Sequence, residues 1–169
     1  DGEARRIERL HASIKGVWGA QNSGANVVSF NARAFESYGK AERQGENAPI
    51  GQRAAFAYTT ALNHLLGKDS RQRIQVGDAS TVFWTDRDSG FESLFADFFG
   101  SHDDPDRGTA AVKALFDAVK IGQLPVGERD TQFFVLGLAP NAARIAVRFW
   151  LKASLAELAP RIAQHFADL

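Results

Sequence analysis

Two paired runs of strand-like sequence constrain this chain most, because each pair folds back on itself across a short turn. Residues 71–77 and 80–86 lie around Gly77-Asp78, a dipeptide suited to a tight hairpin, and Ile74 and Val76 alternate there with Arg73 and Gln75. Residues 131–138 and 143–150 form a second pair across Ala139-Pro140-Asn141. Hairpins impose antiparallel pairing, so the expected fold class is α+β: an antiparallel sheet built from hairpins, with helices packed against it.

The helices are read from apolar spacing. Ala55, Tyr58, Leu62 and Leu65 recur at three and four residues, with Gly51 as N-cap and Gly67 where a left-handed C-terminal cap belongs. Ser89 and Glu92 give a capping box ahead of Phe91, Leu94, Phe95 and Phe98. Val112, Leu115, Phe116 and Val119 repeat the same spacing up to Gly122. Ser154 and Glu157 cap a last helix whose apolar face is Leu155, Leu158, Ile162, Phe166 and Leu169. Pro160 lacks the donor for Ala156, so that helix is expected to kink or to start late. Residues 26–31 (NVVSFN) read as a short strand leaving a polar loop. The expected order is strand, helix, hairpin, two helices, hairpin, helix, within a single domain of residues 1–169.

At 169 residues, with 44% hydrophobic and 24% charged residues, the chain can bury one proper core. No apolar run approaches the ~18–20 residues a membrane span requires. There is no Cys, which excludes disulfides and thiol catalysis and suits a cytoplasmic location. There is also no Met, so the chain is expected to be an internal piece of a larger protein. Twenty basic residues balance 20 acidic ones. A self-sufficient nucleic-acid binder is usually basic, so any such contact must come from a local face.

Three places carry possible chemistry. The loop 19–26 (GAQNSGAN) combines small residues, which let a backbone approach a phosphate, with Gln21, Asn22 and Ser23, which can donate to phosphates or base edges. A plain turn before a strand explains the same composition. On the run 144–150, alternation puts Ile145, Val147 and Phe149 on one face and Arg144, Arg148 and Trp150 on the other, with Lys152 nearby. Guanidiniums beside an indole suit phosphate contact and base stacking; a solvated sheet face reads the same way. The loop SHDDPDRG groups His102, Asp103, Asp104 and Asp106, which could hold a divalent ion for hydrolysis, but the spacing matches no Ca²⁺ loop and suits an ordinary loop before a helix. The four His residues form no HExxH, HxH or other recognisable grouping. The Phe residues at core spacing, Phe91, Phe95, Phe98 and Phe116, are packing, whereas Trp84 at a strand end fits either role.

The stretch 15–66 (KGVWGAQNSGANVVSFNARAFESYGKAERQGENAPIGQRAAFAYTTALNHLL) resembles the Csd-family large subunit of the type I-C CRISPR effector complex, type I-C Cascade. RQRIQVGDASTVFW (71–84) and FFVLGLAPNAARIAVRFW (133–150) resemble the same family in the expected order. The resemblance implies a subunit that helps bind target double-stranded DNA and its flanking motif. It further implies contact with the crRNA and other Cascade subunits, and cleavage by a separately recruited helicase-nuclease. In RNA-guided systems, guide pairing reads the target while protein reads a short motif and grips the backbone. On this reading the nucleic-acid-binding candidates are Lys15, Gln21, Asn22, Ser23, Arg144, Arg148 and Lys152. No catalytic residue, metal site or cofactor is expected, and no membrane partner. Two alternatives remain open from the sequence: a metal-dependent nuclease built on the acidic loop, and a structural module that only docks neighbouring subunits.

Overall fold

Residue spacing translates into four strands and three described helices. The computed structural model describes residues 6–37, 39–40, 43–99 and 128–167. In chain order these carry α1 (Gln52–Leu65), β1 (Arg73–Val76), β2 (Ala79–Thr85), α2 (Phe91–Phe99), β3 (Gln132–Asn141), β4 (Arg144–Ser154) and α3 (Leu155–Ala167), with two short 3-10 turns at Arg33–Phe35 and Gln44–Asn47. The strands form one antiparallel sheet in the order β1-β2-β3-β4, so the α+β class is as expected. The chain divides into two compact units: Asp1–Ser70 with Leu138–Arg148, and Arg71–Gly137 with Phe149–Leu169.

In the first unit, α1 begins after Gly51, whose extended backbone (φ −67, ψ 152) starts the helix without a side-chain cap. Its buried face is Ala55, Thr59, Leu62 and Leu65. Thr59 is buried because its hydroxyl donates to the Ala55 carbonyl at 2.8 Å, within its own helix. Asn63 ties α1 to the preceding chain: its Oδ1 accepts from the Lys15 amide (2.9 Å) and its Nδ2 donates to the Ser13 carbonyl (3.0 Å). Ile14, Val17, Ala25 and Leu66 are buried in this unit as well, as are Leu138, Ala139 and Ile145 from the second hairpin.

Two expectations change here. Gly67 is not in the left-handed region; the helix ends at Leu66 in right-handed geometry, and the Gly67 amide donates to the His64 carbonyl at 3.1 Å. Residues 26–31 form no strand. Ala25 bridges Ile14 and Asn26 bridges Arg144, but the rest of the run finds no ladder. Its residues turn instead to line a cleft.

The second unit holds the aromatic core. Ile74, Phe83, Phe91, Phe133, Val135 and Leu155 are buried together, with Phe95 and Phe149 packed against them. Phe83, Phe95 and Phe133 lie 4.7–6.0 Å apart, tilted as interacting rings prefer. Burial of each such side chain is worth ~1.5–3 kcal/mol, so this cluster is the main organiser of the unit. The β1–β2 hairpin turns at Gly77-Asp78 as expected, with Arg73 opposite Val82 and Val76 opposite Ala79. Gly77 has φ +58, the positive value a type II′ turn needs at its first central position.

Ser89 caps α2 by accepting from the Phe91 amide at 3.2 Å. Glu92 does not complete the expected box. Its carboxylate is taken by the Thr85 amide (2.7 Å) and hydroxyl and by the Gln72 amide group (2.5 Å), which fastens α2 to the sheet. Ser154 and Glu157 do pair: the Ser154 amide donates to Glu157 Oε2 at 3.1 Å. That amide bond, first, and the Ser154 hydroxyl hold the Glu157 carboxyl below its ordinary value. α3 starts at Leu155 and continues through Pro160 rather than starting late.

The second hairpin is longer than the sequence indicates. β3 runs on through Ala139 and Pro140, and the turn falls at Ala142-Ala143, with Ala142 at φ +52. Val147 shares the parity of Ile145 and Phe149 yet is 50% exposed. Parity fixes a face; burial also needs something packed on it. Leu94 and Phe98 fall in α2 and Ile162 and Phe166 in α3, as expected, while the helix expected over 112–119 and Leu169 lie outside the described residues.

Candidate nucleic-acid interface

The loop 19–26 is an excursion clamped at its base. The Ile14 amide donates to the Ala25 carbonyl at 2.9 Å and the Ala25 amide returns the bond at 3.0 Å. The Ala20 amide then turns back onto Val17 (3.1 Å), and the Gly24 amide onto Gln21 (2.9 Å). This tight turn leaves Gln21, Asn22 and Ser23 exposed at its tip. Gly24 has φ +95, and a Cβ there would sit 2.9 Å from Ser13 Cβ and 3.0 Å from the Ile14 carbonyl oxygen. Glycine at this position is therefore fixed by both conformation and space. Lys15 is exposed beside the base, its own amide held by Asn63.

The loop ends at Asn26, and Asn26 pairs with Arg144 in a parallel bridge. The Ile145 amide donates to the Asn26 carbonyl at 3.0 Å. Lys15, Gln21, Asn22, Ser23 and Arg144 thus fall in one unit, around one stretch of backbone. Arg144 is held in place: its Nη2 donates to Asn31 Oδ1 at 3.0 Å, and its guanidinium lies 3.8 Å from the Phe35 ring centroid. Such a guanidinium is preoriented, with further N–H donors beyond the one Asn31 takes. Arg148 lies further along β4 and is exposed. Lys152 belongs to the second unit, with its Nζ 5.7 Å from the Phe134 centroid.

Sequence reading missed a cleft in the first unit. It has a volume of about 120 Å³ and polar lining from Arg9, His11, Asn26, Ser29, Asn31 and Gln44. His11 is 7% exposed; its Nδ1 meets the Tyr58 hydroxyl at 2.5 Å, and its Nε2 has no hydrogen-bond partner among the described residues. Burial pushes the Tyr58 phenol above its ordinary value. Asn26 Nδ2 donates to the His11 carbonyl at 2.6 Å, so the cleft and the loop share Asn26. Nothing in the sequence marks His11 and Tyr58 as neighbours, because they are 47 positions apart.

Among the described residues there is no group of three or more His, Asp or Glu side chains able to hold a metal. The acidic loop with His102, Asp103, Asp104 and Asp106 lies outside them. No described helix is long and apolar enough to cross a membrane.

The family model of a CRISPR-associated protein (Cas_Csd1) matches residues 1–169. The chain belongs to the Cas_Csd1 family. No curated protein matches it. Membership in this CRISPR-associated family accounts for the long strings that resembled it, including the 19–26 loop and the β3–β4 hairpin, and it fits a protein that works with other Cas components.

Proposed function

We propose that this Cas_Csd1 chain is a non-catalytic part of the large subunit of a type I-C RNA-guided DNA surveillance complex, where it helps bind target DNA beside its flanking motif. One observation carries the reading. The amide-rich loop tip and Lys15 are tied through the Asn26–Arg144 bridge to a preoriented guanidinium, in a chain matched over its whole length by a CRISPR-associated family. Backbone-gripping contacts need cations and N–H donors held in register with a phosphate path, and this unit has both. The balance of 20 basic and 20 acidic residues makes the contact local and its isolated strength weak. The crRNA-bearing subunits and the recruited helicase-nuclease are the partners this role implies.

The test is target-duplex binding by the complex assembled with crRNA. Replacing Gln21, Asn22 and Ser23 together by Ala weakens binding while assembly persists. Unchanged binding would remove the loop from the interface. The nuclease alternative is tested by incubating the chain with labelled DNA and RNA in Mg²⁺ and Mn²⁺. We expect no cleavage; cleavage abolished by Asp103→Ala or Asp104→Ala would establish the enzyme instead. The docking alternative draws support from Arg144, whose guanidinium already has Asn31 and Phe35 as partners. It predicts that loop and Lys15 variants alter subunit assembly but leave DNA affinity per assembled complex unchanged.

A further inference from the structure

The second unit has aromatic side chains on both faces of its sheet. One set, around Phe83 and Phe133, is its core. The other set has no such burial. Trp84 on β2, Phe134 on β3 and Trp150 on β4 form a ring cluster across three adjacent strands. Trp84 lies nearly parallel to Phe134, at 16° and 5.4 Å between centroids. Trp150 lies 5.5 Å from Trp84 and 5.8 Å from Phe134. Trp150 is 50% exposed, and Trp84 and Phe134 are half-buried.

Cations border these rings. Lys152, two residues beyond Trp150 and so on the same face of β4, is exposed, with its Nζ 5.7 Å from the Phe134 centroid. Arg73 lies opposite Val82, and Val82 shares the parity of Trp84, so Arg73 is on this face too. Asp86 follows on the same parity, but it is engaged with the Arg87 guanidinium at 3.4 Å and the Gln132 amide at 3.0 Å.

We propose that this ring cluster is a stacking site for unpaired bases of single-stranded DNA, with Lys152 and Arg73 beside the backbone. Every base has a π-face, so exposed rings bind single strands with little sequence preference, and neighbouring cations supply the complement to phosphate. A duplex buries its base faces and cannot stack on the rings in this way. Cross-strand aromatic pairs also stabilise sheets, but that role requires neither a half-exposed indole nor a cation above the cluster. The choice of DNA over RNA rests on the function proposed above; the ring geometry stands without it.

The full chain is titrated with short oligo(dT), following tryptophan fluorescence and the dissociation constant. Quenching on binding is expected. Trp150→Leu, which keeps apolar bulk and loses the ring, weakens binding by roughly tenfold, whereas Trp150→Phe retains most of the affinity. Lys152→Gln leaves the rings in place and lowers the salt slope by about one. Duplex DNA of equal length competes poorly, since its base faces are buried. Unchanged affinity in both Trp150→Leu and Lys152→Gln would overturn the proposal, as would undiminished quenching in a chain with both Trp84→Phe and Trp150→Phe, where only Trp18 remains. Tighter binding of oligo(U) than of oligo(dT) would overturn the assignment to DNA. Target-duplex binding by the assembled complex is measured in parallel. A complex that fails to bind target DNA with the wild-type chain contradicts the proposed function, while the oligonucleotide titration still decides the stacking site.

Discussion

Asn26 pairs with Arg144 in a parallel bridge, and the Ile145 amide next to that pair donates to the Asn26 carbonyl at 3.0 Å. This contact fixes the end of the 19–26 loop to the start of β4. It also makes Arg144 part of the fold, because the guanidinium placed there donates to Asn31 and lies over Phe35.

Arg144→Ala removes both contacts. An exposed cation–π contact is worth ~0.5–1 kcal/mol and a hydrogen bond ~0.5–1.5 kcal/mol, so the expected loss is about 1–2.5 kcal/mol. In a chain of this size that lowers the melting temperature by roughly 2–10 °C. Arg144→Lys recovers little of it, since an ammonium has neither the planar fork nor the stacking surface. A thermal melt checks this; an unchanged melting temperature in Arg144→Ala shows that the brace contributes nothing.

Two glycines separate conformational strain from steric clash. Gly77 has φ +58, and nothing lies within 4 Å of a Cβ built on it. Gly77→Ala therefore costs only the left-handed penalty, ~1–2 kcal/mol. Gly24 has φ +95 and adds the close approach to Ser13 and Ile14. Gly24→Ala is expected to cost more than Gly77→Ala by denaturant unfolding, and to loosen the loop tip. Equal losses would mean that the loop base moves aside without penalty.

The two hairpins and α1 were legible because alternation and three-to-four spacing are local signals, and Gly77-Asp78 has a backbone reason to turn. The second turn slipped to Ala142-Ala143 because Ala139-Pro140-Asn141 looks like a turn in isolation, whereas β3 continues through it. The run 26–31 reads as a short strand but pairs only at Asn26, and partner availability is not written in the run itself. Glu92 looked like half of a capping box; Thr85 and Gln72 compete for its carboxylate, and that competition is tertiary. Lys15, the loop tip and Arg144 were each picked out by residue type. Their meeting through Asn26 was not legible, nor was the cleft around His11, because both depend on contacts between distant segments. The Trp84, Phe134 and Trp150 cluster could have been found by carrying strand parity across the sheet, but only with the order β2-β3-β4 in hand.

Glu157 gives the acid limb of stability a definite sign. The Ser154 amide holds its carboxyl below the ordinary value of 4.5 in the folded chain. A depressed folded value contributes stability that is present above the unfolded value and is lost as pH falls through the folded one. Glu157→Gln should therefore melt below wild type at pH 7, and the gap should close as pH drops through and below about 4.5. A gap that persists undiminished in acid would mean the Ser154 contact does not depend on the charge.

The most direct test of the account is the salt dependence of target-duplex binding by the complex assembled with this chain, comparing wild type with Lys15→Ala and with Arg148→Ala. Both side chains are exposed, so folding should persist, and a melting temperature taken on each variant separates a contact within the fold from a contact with DNA. Each phosphate contact removed lowers the slope of log affinity against log salt by roughly one, and affinity at low salt falls with it. The account predicts that loss for Lys15→Ala, at the base of the 19–26 loop, and for Arg148→Ala on β4. Unchanged slopes and affinities in both variants, with normal melting temperatures, would contradict it.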